Sequence, residues 1–347
     1  MQGANLIIEC LIKEGVTTMF GYPGGTVIPI YDALYDYTNK IKHIRTSHEQ
    51  GAVHVADGYA RTSGKTGVCV ITSGPGATNA VTGIATAYMD SSPLVIISGQ
   101  VGTSLLGKDT FQEIDITGVT YSITKHNFLV RKLEDLPNII REAFIIANEG
   151  RKGPVLIDIP KNLQVTDLDY NMDDYVPSCQ NKKTKDEFQI KEENETKSKL
   201  QGAANLIKQS QRPIIYAGGG VKSVDQYKLL KEFAQKINTP VLNTLMGLGG
   251  IDRANPLSFG LVGMHGSREA NLAISNSDLV ISIGARFSDR VIGNKDEFAK
   301  NAKVIHIDVD PAEINKNIKV DCSIIGDVKE VLKELNKKIH PKNHDAW

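Results

Sequence analysis

The chain has 347 residues, 41% hydrophobic and 23% charged, with 40 Lys and Arg balanced by 40 Asp and Glu. That length accommodates two domains with cores of their own, and zero net charge removes the electrostatic ground for nucleic acid or an anionic membrane as the main partner. The four scattered cysteines, Cys10, Cys69, Cys179 and Cys322, form no CxxC pair, which argues against a disulfide framework or zinc site and for a reducing, cytoplasmic compartment.

The first ten residues lack a basic region, and Glu9, Lys13 and Glu14 interrupt the apolar run. They read as an amphipathic helix ending at Gly15, not as a signal peptide. No apolar stretch approaches the ~20 residues of a membrane helix. Phe20-Gly21-Tyr22-Pro23-Gly24-Gly25 is a glycine turn that suits either a bland connection or a ligand loop. Ser47 followed by Gln50 forms a capping-box pattern, which predicts a helix starting there. On that helix Glu49 shares a face with Ala52, Val53, Ala56 and Ala60. Two readings of Glu49 stand side by side. It is either an acid complementing the helix dipole, worth about 0.3–1 kcal/mol, or a partly desolvated carboxylate suited to exchanging a proton. His43, His48 and His54 lack metal-ligand spacing and read as satisfied polar residues.

Residues 67–72, 94–98 and 154–160 are short, continuous apolar runs, as are 213–217, 278–283 and 303–308 in the second half. Such strands alternating with helices predict an α/β fold of two doubly wound domains, each a parallel sheet covered on both faces. Between them, the charged and weakly periodic stretch 167–199 reads as an exposed linker.

Two glycine clusters border these strands. Thr72-Ser73-Gly74-Pro75-Gly76-Ala77-Thr78-Asn79 lies between strand and helix, where backbone N–H groups are free to meet a ligand. It carries no P-loop lysine and no GxGxxG spacing, so nucleotide binding is not specified. In the second half, Gly218 to Gly220, Gly284 to Arg290, and Asp308 with Asp310 close three strands. Ligands of open parallel sheets bind outside such ends. There Arg286 or Arg290 suits a phosphate and Asp308 a ribose hydroxyl, so the arrangement reads as a dinucleotide crevice or as a surface Arg–Asp network.

Taken in order, Phe20 to Gly25, His48 to Ala52, Ala56 to Arg61, Ser73 to Asn79, Phe111-Gln112-Glu113, Gly263 to Gly266, Gly284 to Phe287 and Asp308 to Ile314 resemble the acetolactate synthase (acetohydroxyacid synthase) large subunits. These belong to the thiamine diphosphate-dependent decarboxylases and carboligases. The resemblance covers nearly the whole chain. It implies a pyrimidine-binding domain over residues 1–166 and a Rossmann-like, FAD-binding central domain over residues 200–340. Glu49 would be the catalytic acid at the aminopyrimidine, with Gly74, Pro75 and Asn79 also at thiamine diphosphate. Gly24, Gly25, Gln112 and Lys161 would border the substrate. FAD would meet Arg151, Gly218, Gly219, Gly220, Thr244, Leu245, Met246, Met264, His265, Gly284, Arg286, Asp289, Arg290, Asp308 and Asp327. Ser288 stands where the family motif usually has Asp, which puts one flavin contact in question.

The resemblance further implies pyruvate and 2-oxobutyrate as substrates and branched-chain amino-acid synthesis as the role. It implies a homodimer or homotetramer with the active site at the subunit interface, and a small regulatory subunit. The family's third domain, which holds Mg²⁺ and the diphosphate through Gly-Asp-Gly and Asn-Asn motifs, has no counterpart, because neither motif occurs here. These residues alone are therefore expected to hold no metal and to be inactive. Another thiamine-dependent carboligase or decarboxylase, and a non-catalytic FAD-binding module, are the competing expectations.

Overall fold

The structure is a computed structural model that describes residues 1–180, 187–344 and 347. The chain divides into two units, Met1–Lys183 and Thr184–Trp347.

The first unit contains α1 (Gly3–Lys13), β1 (Thr18–Gly21), α2 (Ile28–Tyr35), β2 (Lys42–Arg45), α3 (Glu49–Ser63), β3 (Gly67–Ile71), α4 (Pro75–Asn79) and α5 (Val81–Met89). It continues with β4 (Leu94–Gln100), α6 (Ile116–Thr120), β5 (His126–Leu129), α7 (Leu136–Asn148), β6 (Pro154–Pro160) and α8 (Lys161–Val165). All strands pair in parallel, in the order β2-β1-β3-β4-β6-β5. Alternate residues of the buried strands feed two cores. Val68, Val70, Val95, Ile97, Val155 and Ile157 pack with α1, α2 and α7, while Cys69, Ile71, Leu94, Ile96 and Leu156 pack with α3 and α5. Period-2 alternation in a sheet covered on both faces is why these strands are apolar throughout.

The second unit contains α9 (Glu187–Gln209), β7 (Pro213–Ala217), α10 (Val224–Lys236), β8 (Val241–Asn243), β9 (Ser258–Leu261), α11 (Arg268–Asn276) and β10 (Leu279–Ile283). After them come α12 (Asp289–Ile292), β11 (Lys303–Asp308), β12 (Cys322–Ile325) and α13 (Val328–Lys338). Its six strands are also parallel, in the order β12-β11-β10-β7-β8-β9, again with a core on each face. The expected fold class, two doubly wound α/β domains, is the observed one. Among the described residues, no helix is long and apolar enough to cross a membrane.

The segment 167–199 is not the single exposed linker expected of it. Its first part is tied to the first unit: Gln2 bridges Asp167, the Leu168 N–H donates to the Met1 carbonyl, and buried Tyr175 donates its hydroxyl to Glu14 at 2.7 Å. Residues 181–186 lie outside the described residues. From Glu187 the chain is helical, and Leu200, Ala203, Ala204 and Ile207 in the later turns of α9 join the second unit's core. One buried tyrosine and one long-range carboxylate partner outweigh the charged composition around them.

Candidate functional site

The strand order reverses between β1 and β3 in the first unit, where β6 also turns back to lie between β4 and β5, and between β7 and β10 in the second. A crevice at the carboxyl ends of the strands flanking that reversal is the ligand position this topology favours. The glycine clusters lie there.

In the first unit the crevice is formed by the residues after β1, β3 and β4 and by the start of α3. The α3 cap differs from the expected one. The N-cap is His48, not Ser47, and its Nδ1 accepts from the Gln50 N–H at 3.2 Å. An imidazole nitrogen satisfies an orphan helix donor as a hydroxyl does. The helix face is the expected one: Glu49, Ala52, Val53, Ala56 and Ala60 are buried. Glu49 is only 7% exposed. Its Oε2 accepts from Asn79 Nδ2 at 3.0 Å, across 30 residues of sequence. Gly76 stands against its other oxygen, since a Cβ at position 76 would lie 3.0 Å from Oε1. Pro75 opens α4 and Gly74 caps it with φ +58°, so one turn carries Gly74 and Pro75 together with Gly76 and Asn79, the two that meet the carboxylate. Gln112 joins them from the loop after β4: a side chain on Gly74 would come within 2.8 Å of the Gln112 carbonyl oxygen.

Buried polar residues that the sequence reading missed fix these loops. Thr26 Oγ1 meets Thr72 Oγ1 at 3.0 Å and accepts from the Ser73 N–H at 3.0 Å. Gln164 donates Nε2 to the Thr26 carbonyl at 2.8 Å, so the Gly24-Gly25 turn is held from two sides. Gln100 donates Nε2 both to the Ile114 carbonyl at 2.8 Å and to Asp158 Oδ2 at 2.9 Å, and Asn162 Oδ1 accepts from the Thr103 N–H at 2.9 Å. The loop after β4 is thus stapled at both ends. Burial pushes the Asp158 carboxyl up to about 7, opposed by the Gln100 hydrogen bond. Lys161 starts α8 and is exposed. Arg151 donates Nε to Ser91 Oγ at 2.9 Å within this unit. His43 corrects the expectation of satisfied histidines. Its ring stands edge-on to Tyr31 at 4.9 Å, its Nε2 is buried with no hydrogen-bond partner among the described residues, and burial lowers its pKa.

In the second unit most of the expected positions gather at the carboxyl ends of the strands. The Gly218 N–H donates to the Ile283 carbonyl, that of Gly220 to Gly284 and that of Gly284 to Ile307, at 2.8–2.9 Å. Gly284 adopts φ +56° with its α-carbon face against the Gly220 backbone, and Gly218 sits equally close to Gly284 and Ala285. These glycines let two turns touch each other. Thr244 Oγ1 accepts from the Gly247 N–H at 3.0 Å, closing the short turn that carries exposed Leu245 and Met246. The Met264 N–H donates to the Arg290 carbonyl at 2.8 Å and Arg290 Nη1 approaches Met264 Sδ at 3.7 Å, so Met264, His265, Asp289 and Arg290 share one edge. Arg286 is half-buried beside them in sequence, and Ser288 caps α12 without a side-chain bond. Asp308 is buried, its Oδ1 accepts from the Asp310 N–H at 2.9 Å, and burial raises its pKa. Asp327 already serves as the cap of α13, accepting from the Lys329 N–H at 2.8 Å. Among the described residues no group of three or more His, Cys, Asp or Glu is placed to hold a metal ion.

Comparison with known proteins agrees with this geometry. Residues 1–119 match the thiamine pyrophosphate enzyme N-terminal TPP binding domain, and residues 200–335 match the thiamine pyrophosphate enzyme central domain. The chain is 50% identical over 342 residues to a probable acetolactate synthase large subunit of Methanocaldococcus jannaschii, an alignment covering 96% of this chain and 56% of that protein. It is 46% identical to the acetolactate synthase large subunit of Buchnera aphidicola (98% and 59% covered) and 45% identical to that of Haemophilus influenzae (96% and 57%). The chain therefore spans a little over half the length of these relatives. With both of its units matched, the chain belongs to the thiamine pyrophosphate enzymes, of which it comprises the N-terminal TPP-binding and central domains.

Proposed function

We propose that these residues form the pyrimidine-binding and FAD-binding parts of an acetolactate synthase catalytic subunit. Residues 1–166 would take the aminopyrimidine of thiamine diphosphate and 200–340 would take FAD. The observation that carries the reading is Glu49: a carboxylate withdrawn from water at a helix start, oriented by one amide and flanked by a glycine. When bound, thiamine diphosphate supplies the carbanion chemistry that decarboxylates one 2-oxoacid and passes its two-carbon unit to another.

The chain's own residues then have defined tasks. Glu49 holds and returns the proton at N1′ of the aminopyrimidine. Asn79 fixes which carboxylate oxygen is presented. Gly76 leaves the other oxygen uncovered, since any side chain there would stand 3.0 Å from it. Gly74 and Pro75 set the turn that carries both, and the stapled loops with Gly24, Gly25 and Gln112 border the substrate, as does Lys161. Orientation by preset groups is a large part of what a protein adds to cofactor chemistry.

In the second unit, the donors Arg286 and Arg290 fit the phosphates of FAD, and buried Asp308 fits a ribose hydroxyl. Gly218 to Gly220, Thr244 to Met246, Met264, His265, Gly284 and Asp289 line the same strand ends, with Asp327 at the neighbouring one. Pyruvate and 2-oxobutyrate as substrates, Mg²⁺ held by groups outside this chain, a homo-oligomer with a small regulatory subunit, and a cytoplasmic setting complete the proposal.

The test is formation of acetolactate from pyruvate by the enzyme that carries this chain, with thiamine diphosphate, Mg²⁺ and FAD supplied, in wild type and Glu49→Gln. Product in the wild type and its loss in the variant support the reading. A different product reassigns the reaction within the family. Non-bleaching flavin absorbance retained by the purified chain is expected, and its absence would remove the FAD assignment.

A further inference from the structure

The loop between β4 and α6 contains a small closed ring built around one carboxylate. Glu113 Oε2 accepts from the Thr110 N–H at 3.0 Å, from Thr110 Oγ1 at 3.2 Å and from the Lys108 N–H at 3.3 Å, while its Oε1 accepts from the Gly107 N–H. The Glu113 N–H in turn donates to the Thr110 carbonyl at 2.9 Å. These backbone donors hold the carboxyl below the usual carboxylate range. Inside the ring, Gly107, Asp109 and Gln112 have φ of +74°, +50° and +58°, and left-handed backbone at the two non-glycine positions persists only where surrounding contacts impose it. The staples at Thr103 and Ile114 fix the ends of the loop but do not reach residues 107–113, where Glu113 is the group that closes the ring. The ring's far side presents Gln112 to Gly74 so closely that a Cβ on Gly74 would lie 2.9 Å from the Gln112 Cα and Cβ. Gly74 belongs to the same turn as Gly76, where a Cβ would lie 3.0 Å from Glu49 Oε1.

We propose that Glu113 is a positioning residue that holds Gln112 against the Gly74-Pro75-Gly76 turn, so that the substrate side of the crevice is set before any ligand arrives. The assignment rests on the function proposed above, because it is Gln112's place at the substrate that makes its positioning matter.

Two measurements decide it. In amide hydrogen exchange on the ligand-free chain, Glu113→Ala should speed exchange at Gly107, Lys108 and Thr110 by about tenfold or more, leaving the amides of β3 and β4 as in wild type, because the opening is local. In the enzyme that carries this chain, the same variant should raise KM for the 2-oxoacid by about tenfold with kcat within about threefold, the pattern of lost substrate binding. Glu113→Gln, which keeps one acceptor oxygen, should fall between wild type and alanine on both, and serves alone if the alanine variant does not fold. Unchanged exchange at the three amides overturns the proposal, as does faster exchange without any change in KM. If Glu49→Gln leaves turnover intact, the function proposed above fails while the exchange experiment still shows whether Glu113 closes the loop.

Discussion

The two crevices look alike in sequence, since each is a glycine-rich turn at the point where strand order reverses, but their glycines are used differently. In the second unit Gly218, Gly220 and Gly284 lie with their α-carbons against one another's backbones, so the absence of side chains is consumed by the fold itself. In the first unit Gly76 borders a buried carboxylate and Gly25 faces open space. A glycine cluster at a strand end therefore has two physical meanings, close packing of turns and room for a ligand, and only the surroundings separate them. The polar groups differ as well. The first unit buries its expected catalytic acid with an amide donor, whereas among the second unit's expected polar side chains only Asp308 is buried, and Asp289 and Arg290 lie at the surface.

The comparison breaks most visibly at Glu49. Replacement by Gln keeps the volume and the bond from Asn79 but removes the exchangeable proton. Turnover should fall by roughly 10²–10⁴-fold, the usual contribution of a positioned acid or base, with the thermal midpoint nearly unchanged. Unaltered turnover would return Glu49 to the helix-dipole role that its position alone also allows.

At the second crevice the reverse pattern is expected from Gly284→Ala. The residue has φ +56°, and its Cβ would stand 2.5 Å from the Gly220 Cα. Strain and overlap together should cost about 3 kcal/mol, within the range of severe backbone substitutions. Trp347, the one tryptophan of the chain, donates Nε1 to the Pro213 carbonyl at the start of β7. Its fluorescence should therefore report the lowered midpoint of this unit specifically. A midpoint equal to wild type would mean that the two turns separate easily and that packing is not what those glycines provide.

How much of this was readable beforehand follows from the range of each signal. The central strands were legible because burial on both faces demands unbroken apolar runs such as Leu94 to Ile97. β2 and β5 were not, because strands at the sheet edge are half-exposed and their sequences, Lys42–Arg45 and His126–Leu129, alternate without such a run. The α3 face was legible from helical spacing, but its cap was misplaced by one residue, since the imidazole of His48 competes with the hydroxyl of Ser47 for the same task. Glu49 itself was marked by spacing only as one of two readings, and the family resemblance singled it out. The residues that hold the loops, Thr26, Gln100, Asp158 and Gln164, left no local trace. Gln164 meets Thr26 across 138 positions and Gln100 meets Asp158 across 58, and no periodicity encodes a partner at that distance.

Asp158 offers a sharper, smaller contrast through pH. Its carboxyl is 2% exposed and raised to about 7, above the ~3.9 expected of an unfolded Asp. Between those values the folded state holds the proton that the unfolded state has lost, so stability declines as pH rises from about 4 to about 7 and is level beyond. Asp158→Asn keeps an acceptor for Gln100 and removes the titration. Its first unit should match wild type near pH 4 and exceed it above pH 7, as followed by circular dichroism melts across that range. Parallel curves for the two proteins would show that the carboxyl is not kept neutral by burial.

The smallest effect on stability, and the most informative for the first crevice, belongs to Gly25→Ala. Gly25 is not among the glycines with positive φ, and a Cβ on it would meet nothing within 4 Å. The fold gives no reason for glycine there, so the substitution should shift stability by no more than about 0.5 kcal/mol. Its neighbour Gly24 is the internal control, because a side chain there would stand 2.5 Å from Thr72, the residue whose hydroxyl meets Thr26, and Gly24→Ala should disturb folding. If Gly25→Ala raises KM for the 2-oxoacid while melting as wild type does, the empty space beside it belongs to substrate. If KM and midpoint are both unchanged, Gly25 is a bland turn residue and the substrate border must be drawn without it.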